Sequence, residues 1–325
     1  MILITGGMGF IGLHTAKLLL EAGEDVVLMQ HQARREPDFL SMSSASMSSA
    51  KGKGGGRALI ERADITSSYD VLDIVRRHHV TGIVHLVAPP VRGISPAEDF
   101  RINTQGLLNV LEAARVSDVR RVCLGSSGSV YLGVPNGPYP ESMPLPIDSR
   151  TPVEAYKKAL ETMALHYATR TGLQVAALRL GHIYGPLYYS LVNLPSRLCH
   201  AVVQGREPDY ADAPGGVPFA DDEGDFCYVR DCARGIQLVA MAPELRHQIY
   251  NVGGGVAITN GDVANAVAKV APGFEAHLRP GRSPHGRSNP VMTIERIRED
   301  AGYEPAYSID AAIADYIAWL RSNPL

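Results

Sequence analysis

The chain has 325 residues, 45% hydrophobic and 20% charged, with 31 basic against 34 acidic side chains and a net charge of −3. That balance leaves no electrostatic footprint for nucleic acid or an anionic membrane surface, and no apolar stretch approaches the length of a bilayer span. The length exceeds what one small core fills and suits one large domain or two unequal ones.

The chain opens on Ile2-Leu-Ile-Thr5, an apolar run ending in a turn with Gly6, Gly9 and Gly12 spaced at threes. An amphipathic stretch, His14 to Ala22, follows at once. This is the strand–turn–helix of a dinucleotide-binding unit: Gly6 for the tight turn, Gly9 for close approach of backbone amides to a pyrophosphate, Gly12 for helix–strand packing. The anion sits on the unpaired N–H groups of the helix start, where the macrodipole favours negative charge. The strand begins at residue 2, and nothing there resembles a secretory leader.

Strand-like runs recur at Val26–Met29, Gly82–Val87, Arg121–Leu124 and Val175–Leu180, with helical patterns at Tyr69–His78, Glu98–Arg115 and Glu154–Thr171 between them. Such alternation implies βαβ units and an α/β fold, a doubly wound parallel Rossmann sheet with its ligand crevice at the carboxyl ends of the strands. Residues 41–56 are rich in serine and glycine and read as a mobile loop, in which Lys51 and Lys53 are solvated rather than cofactor clamps. After Gly185-Pro186 prolines and glycines become frequent. A helical Asp231–Ala240, a strand-like Gln248–Val252 and helices Asp262–Val270 and Asp310–Arg321 follow. Residues 1–180, with a returning piece near 226–252, are expected to form the dinucleotide-binding domain. Residues near 181–225 and 253–325 form a smaller substrate-binding lobe. Cys123, Cys199, Cys227 and Cys232 include no Cys-x-x-Cys pair, so neither a metal site nor a disulfide framework is expected, and a cytoplasmic setting follows.

Several further segments follow the glycine turn in order: Ala63-Asp64-Ile65, His85-Leu-Val-Ala88, Asn103-Thr-Gln-Gly-Leu-Leu-Asn109, Gly125-Ser-Ser-Gly-Ser-Val-Tyr131, Arg179-Leu-Gly-His-Ile-Tyr-Gly-Pro186, Phe226-Cys-Tyr-Val-Arg-Asp231 and Tyr250-Asn-Val-Gly253. Together they resemble the extended short-chain dehydrogenase/reductase family, in its group of NAD-dependent epimerases and dehydratases acting on nucleotide sugars. The resemblance implies a cofactor site of Gly6, Gly9, Phe10, Ile11, Gly12, Gln30, Asp64, Ile65, Leu86, Val87, Ala88, Asn103 and Lys157. It places Ser127 on the substrate oxygen as a catalytic residue, Ser129, Tyr131, His182 and Asn193 on the substrate side, and dimerisation on helices Glu98–Arg115 and Glu154–Thr171.

One departure alters the chemistry expected. The family pairs a tyrosine with a lysine four residues on, and the lysine's charge lowers the tyrosine pKa so that it exchanges a proton. In Thr151-Pro-Val-Glu-Ala-Tyr-Lys-Lys158, Lys157 takes the lysine place and Val153 the tyrosine slot; a second register puts Tyr156 in the slot with Leu160 as its partner. Tyr156 is the displaced acid/base candidate, with Tyr131, His182 and Glu154 as alternatives from other walls. Gln30 stands where the family has an acidic residue for the ribose, and Arg34 and Arg35 lie close behind. This leans to NADP with NAD still open. Gly224 stands where a diphosphate-binding arginine is common, and Arg282 or Arg287 is left to pair with an anion. The expected function is therefore carbonyl–alcohol hydride transfer on a sugar-like small molecule. The alternatives are a non-redox lyase, cyclase or isomerase, and a catalytically silent NAD(P) sensor.

Overall fold

The computed structural model describes residues 1–31, 55–89, 93–213, 215–284 and 286–323. The expectations for Arg34, Arg35, Lys51 and Lys53 lie outside the described residues.

The first part of the chain alternates strand and helix: β1 (Ile2–Thr5), α1 (Phe10–Glu21), β2 (Val26–Gln30), β3 (Ala58–Arg62), α2 (Ser68–Arg77), β4 (Gly82–His85), α3 (Pro96–Val116) and β5 (Arg121–Ser127). A 3-10 turn at Gly128–Tyr131, α4 (Pro152–Thr171) and β6 (Gln174–Leu180) complete it. Next come β7 (His182–Tyr184), α5 (Leu194–Val203), β8 (Glu223–Gly224), β9 (Phe226–Tyr228), α6 (Val229–Met241) and β10 (Ile249–Val252). β11 (Ile258–Thr259), α7 (Asn260–Val270), α8 (Glu295–Ala301) and α9 (Ile309–Ser322) close the described chain.

Seven strands pair in the order β10-β6-β5-β4-β1-β2-β3, all parallel, as the βαβ alternation predicts. The strands read as near-continuous apolar runs because helices cover both faces. The two-residue period sorts their side chains: Ile2, Ile4, Val26 and Leu28 enter one core, and Leu3, Val27 and Met29 the other. The first core lies under α1 and α6, the second under α2, α3 and α4. α3 and α4 each start on a hydroxyl cap followed by proline: Ser95 accepts from Glu98 N–H before Pro96, and Thr151 accepts from Glu154 N–H before Pro152. The cap satisfies an amide the helix leaves open, and proline at the first helical position gives up an N–H that has no partner there.

A third core joins α5, α7 and α9. β10 pairs with β6, and α6 packs on α1. Ile294, Ile297 and Tyr303 pack with the sheet-side core, so α8 rides on α6 and β10.

Candidate active site

The glycine turn is built for close approach. Gly6 has φ +70, a region open to glycine, and a Cβ there would lie 3.0 Å from the carbonyl carbon of Leu86. A Cβ on Gly12 would lie 2.4 Å from the Gly6 carbonyl oxygen, so α1 rests directly on the turn. Gly9 is the N-cap of α1 with no side-chain cap, and no acidic residue occupies the first turn. Open amides and the helix dipole at that point make an anion cradle that a diphosphate fits.

The remaining cofactor candidates gather round this turn. Phe10 and Ile11 lean on the first core, with the Phe10 ring 4.9 Å from that of Tyr188. Leu86, Val87 and Ala88 run on from β4, and Leu86 N–H donates to the Thr5 carbonyl. Gln30 closes β2 opposite Arg62. Asp64 accepts from Thr66 N–H and hydroxyl at 2.8 Å each, which fixes its carboxylate beyond β3. Ile65 packs under Gly106 of α3 and its carbonyl accepts from Asn109. Asn103 donates to Asp99, and its buried Oδ1 has no partner among the described residues.

The chemistry-bearing side chains divide sharply. Lys157, 8% exposed, reaches from α4 to donate to the Gly125 carbonyl in β5. Burial pushes its ammonium down to about 8, against the pull of Glu161. Two residues beyond Gly125, half-buried Ser127 ends β5 and accepts from Ser129 N–H at 3.1 Å. The buried Ser129 hydroxyl has no partner among the described residues. Lys157 and Ser127 are thus brought to one strand end. Val153, one helical turn before Lys157, packs on the second core and offers no proton.

Tyr156 lies beside Lys157, whose Nζ stands 5.6 Å from the ring centroid, but it is packed in the second core. It is 3% exposed, and its phenol is pushed up to about 12 by burial, with Asp99 adding to the effect. The acid/base role considered for it therefore meets a side chain with no surface at the crevice. Tyr131 is fully buried as well. Its hydroxyl donates to Asn251 Oδ1 at 3.0 Å and accepts from Arg179 at 2.6 Å, and burial raises its pKa. Glu154 is tied to Lys158 and Arg150 N–H, both at 2.7 Å. Asn193 caps α5, accepting from Ser196 N–H and donating to the Ile183 carbonyl. Arg282 pairs with Glu223 at 3.1 Å. His182 alone of the tyrosine substitutes is exposed, with its ring 6.1 Å from that of Phe226.

Two further groups lie close to Lys157. His85 is buried against the Thr5 hydroxyl at 2.7 Å and is pushed down to about 3 by burial, with the charge of Lys157 adding, so it stands neutral beneath Lys157. Glu161 and Arg179 form a buried ion pair at 2.8 Å, one turn along α4 from Lys157, and Ser126 donates to the same carboxylate. Their signal was a glutamate four residues after the lysine. A cavity of about 120 Å³ lies elsewhere, at the amino ends of β1, β4 and β5. Arg120 and Arg121 beside it donate to carbonyls at the end of α6, a structural cap remote from the strand ends where this fold binds ligands.

Comparison with known proteins fits this arrangement. The family model described as the NAD dependent epimerase/dehydratase family matches residues 2–253. A dTDP-glucose 4,6-dehydratase of Streptomyces niveus is 27% identical over 99% of this chain and 93% of its own length. A UDP-glucose 4-epimerase of Neisseria gonorrhoeae is 26% identical over 99% of this chain and 98% of its own. The crystal structure of UDP-glucose 4-epimerase from Thermus thermophilus in complex with NAD superposes with a TM-score of 0.75 at 26% identity, covering 99% of both chains.

Proposed function

The chain belongs to the NAD dependent epimerase/dehydratase family, and from that membership we propose that it binds NAD and moves hydride between carbonyl and alcohol on a nucleotide-sugar-like substrate. The observation that carries this reading is the uncapped start of α1 over a turn where Gly12 leaves no room for a side chain. NAD, when bound, supplies the hydride acceptor and donor. Gly6, Gly9 and Gly12 hold its diphosphate, Asp64 and Ile65 flank the adenine, and Lys157 holds the nicotinamide ribose. Ser127 hydrogen-bonds the substrate oxygen. The neutral Gln30 leaves NADP as a second cofactor to titrate, while the Thermus structure supports NAD.

The test is optical. NAD-loaded protein mixed with UDP-glucose or dTDP-glucose is expected to show absorbance in the reduced-nicotinamide band, transient for an epimerase or dehydratase. Bound NAD with no such signal from either sugar removes the redox reading. Val153 in the proton-transfer slot favours one competing reading, a lyase or isomerase that never reduces its nucleotide, and it predicts product without that signal.

Phe100 and Leu108 are 42% and 39% exposed, eight residues apart on α3. Pairing α3 and α4 with those of a second copy covers them and makes a homodimer. Sedimentation is expected to give a dimer for the native protein and a monomer for Phe100→Glu with Leu108→Glu; a native monomer at micromolar concentration removes this assignment. Four free, buried cysteines fit a cytoplasmic setting.

A further inference from the structure

Hydride transfer leaves a proton to be moved, and the slot that would carry it is Val153. The titratable groups near the ends of β5 and β6 are almost all committed elsewhere. Tyr156 is in the core, Tyr131 is held by Asn251 and Arg179, and Glu154 is paired with Lys158. Glu161 is paired with Arg179, and His85 is sealed against Thr5. Asp225 is buried with both carboxylate oxygens taken by Gly254 and Met292 N–H groups.

His182 differs from all of these. It begins β7 directly beyond the end of β6, where Leu180 is the register partner of Ser127. Its Cα therefore lies within about 7 Å of the Leu180 Cα, which in turn sits about 5 Å from that of Ser127. Its backbone N–H is anchored on the Asp225 carbonyl at 3.2 Å, while its side chain is exposed. Neither ring nitrogen bonds another group among the described residues. We propose that His182 is the acid/base of this enzyme, exchanging the substrate hydroxyl proton that a tyrosine would otherwise carry. The proposal rests on the hydride-transfer reading above.

The step balances. As substrate is oxidised, the O–H proton passes to an imidazole nitrogen, the O–H electron pair closes the C=O bond, and the C–H pair leaves as hydride to the oxidised nicotinamide. In the return direction imidazolium gives the proton back to the oxygen as hydride re-adds to carbon. Ser127 hydrogen-bonds the same oxygen from the neighbouring strand.

Electrostatics favour the accepting state. Protein atoms crowd the imidazole on the crevice wall although solvent reaches it, and that crowding, with the charge of Arg287, holds its pKa below the usual value. Arg287 comes from the 286–290 strap, stacked over Tyr139 with its guanidinium carbon 5.7 Å from the ring centroid. Asp225, next to β9, is the nearby acid, and its carboxylate is spent on backbone N–H groups. His182 is therefore neutral near pH 7 and ready to take a proton.

The test uses the full-length protein, NAD, UDP-glucose and dTDP-glucose. His182→Gln is expected to slow single-turnover hydride transfer about a hundredfold or more, with NAD affinity by calorimetry within twofold and the acid limb of the pH–rate profile gone. A loss under tenfold, or an unchanged acid limb, overturns the proposal. A second readout needs no turnover. In native protein the His182 imidazole resonances are expected to move, and its pKa to fall further, when NAD places its cationic nicotinamide ring in the crevice. Resonances indifferent to saturating NAD overturn the proposal while leaving the hydride-transfer reading intact. Absent hydride transfer in native protein sinks that reading itself, and this one with it.

Discussion

Glu161→Ala is expected to remove about 3–5 kcal/mol of stability, because it strands a guanidinium inside the protein. Glu161 and Arg179 are 4% and 3% exposed. The carboxylate accepts from Arg179 Nε at 3.0 Å and Nη2 at 2.8 Å, and from the Ser126 hydroxyl. Arg179 spends its other nitrogen on Tyr131 and the Glu141 carbonyl. Without Glu161 the cation keeps only neutral hydrogen-bond partners in a region of low dielectric, and the Ser126 hydroxyl loses its acceptor. The loss is a large share of the 5–15 kcal/mol of a whole domain. Urea unfolding should show it as a lower midpoint at constant slope. The double variant Glu161→Leu with Arg179→Met should recover most of the loss, since it removes the charge as well as its partner. A single variant as stable as the native protein would show that the pair is not desolvated. The same variant has a functional readout. Glu161 supports the charged form of Lys157 one turn away, so its removal lets burial push the lysine pKa further down.

Most of the architecture was legible because most strands carry their own apolar period and several helices their own cap. Val26 to Met29 alternates between two cores, and Ser95-Pro96 and Thr151-Pro152 announce α3 and α4. β3 was not seen, because Ala58–Arg62 is an edge strand, half-exposed, ending in Glu61 and Arg62. Its identity comes from pairing with β2, which sequence periodicity does not record. α5 hid in a proline-rich stretch, although Asn193 with Pro195 two residues on is itself a helix-start signal. α8 was lost for a related reason: only seven residues long, it takes its support from packing on α6 and β10.

The candidate site was legible in its backbone parts and illegible in its acid/base. The glycine spacing states a steric requirement, and steric requirements survive translation from sequence to structure. Tyr156 shows the opposite case. α4 is buried on two sides, one carrying Lys157 and Glu161 and the other Tyr156, Leu160 and Ala164. A helix with two inward faces gives no pattern by which to decide which tyrosine meets solvent. The exposure of His182 likewise depends on how β7 leaves β6 and pairs with β9, a matter of tertiary packing.

Gly12→Ala is expected to lower NAD affinity at least a hundredfold, about 2.7 kcal/mol, and to cost roughly 1–3 kcal/mol of stability. The added Cβ would sit 2.4 Å from the Gly6 carbonyl oxygen, 2.8 Å from Gly7 Cα and 2.9 Å from Gly7 C. All three are backbone atoms of the turn, so no side chain is free to swing aside. α1 has to lift away from β1, and the open amides of its first turn move with it. Gly9→Ala separates the two effects. Gly9 has φ −83, which alanine adopts freely, and its Cβ would meet only the Gly6 oxygen at 3.0 Å. That variant should keep nearly all its stability and still bind NAD poorly, because its methyl group occupies the space a diphosphate needs. Calorimetric titration with NAD alongside urea unfolding distinguishes the cases. Native-like NAD affinity in both variants would mean that the nucleotide does not sit on this turn, and the assignment of the crevice would fall.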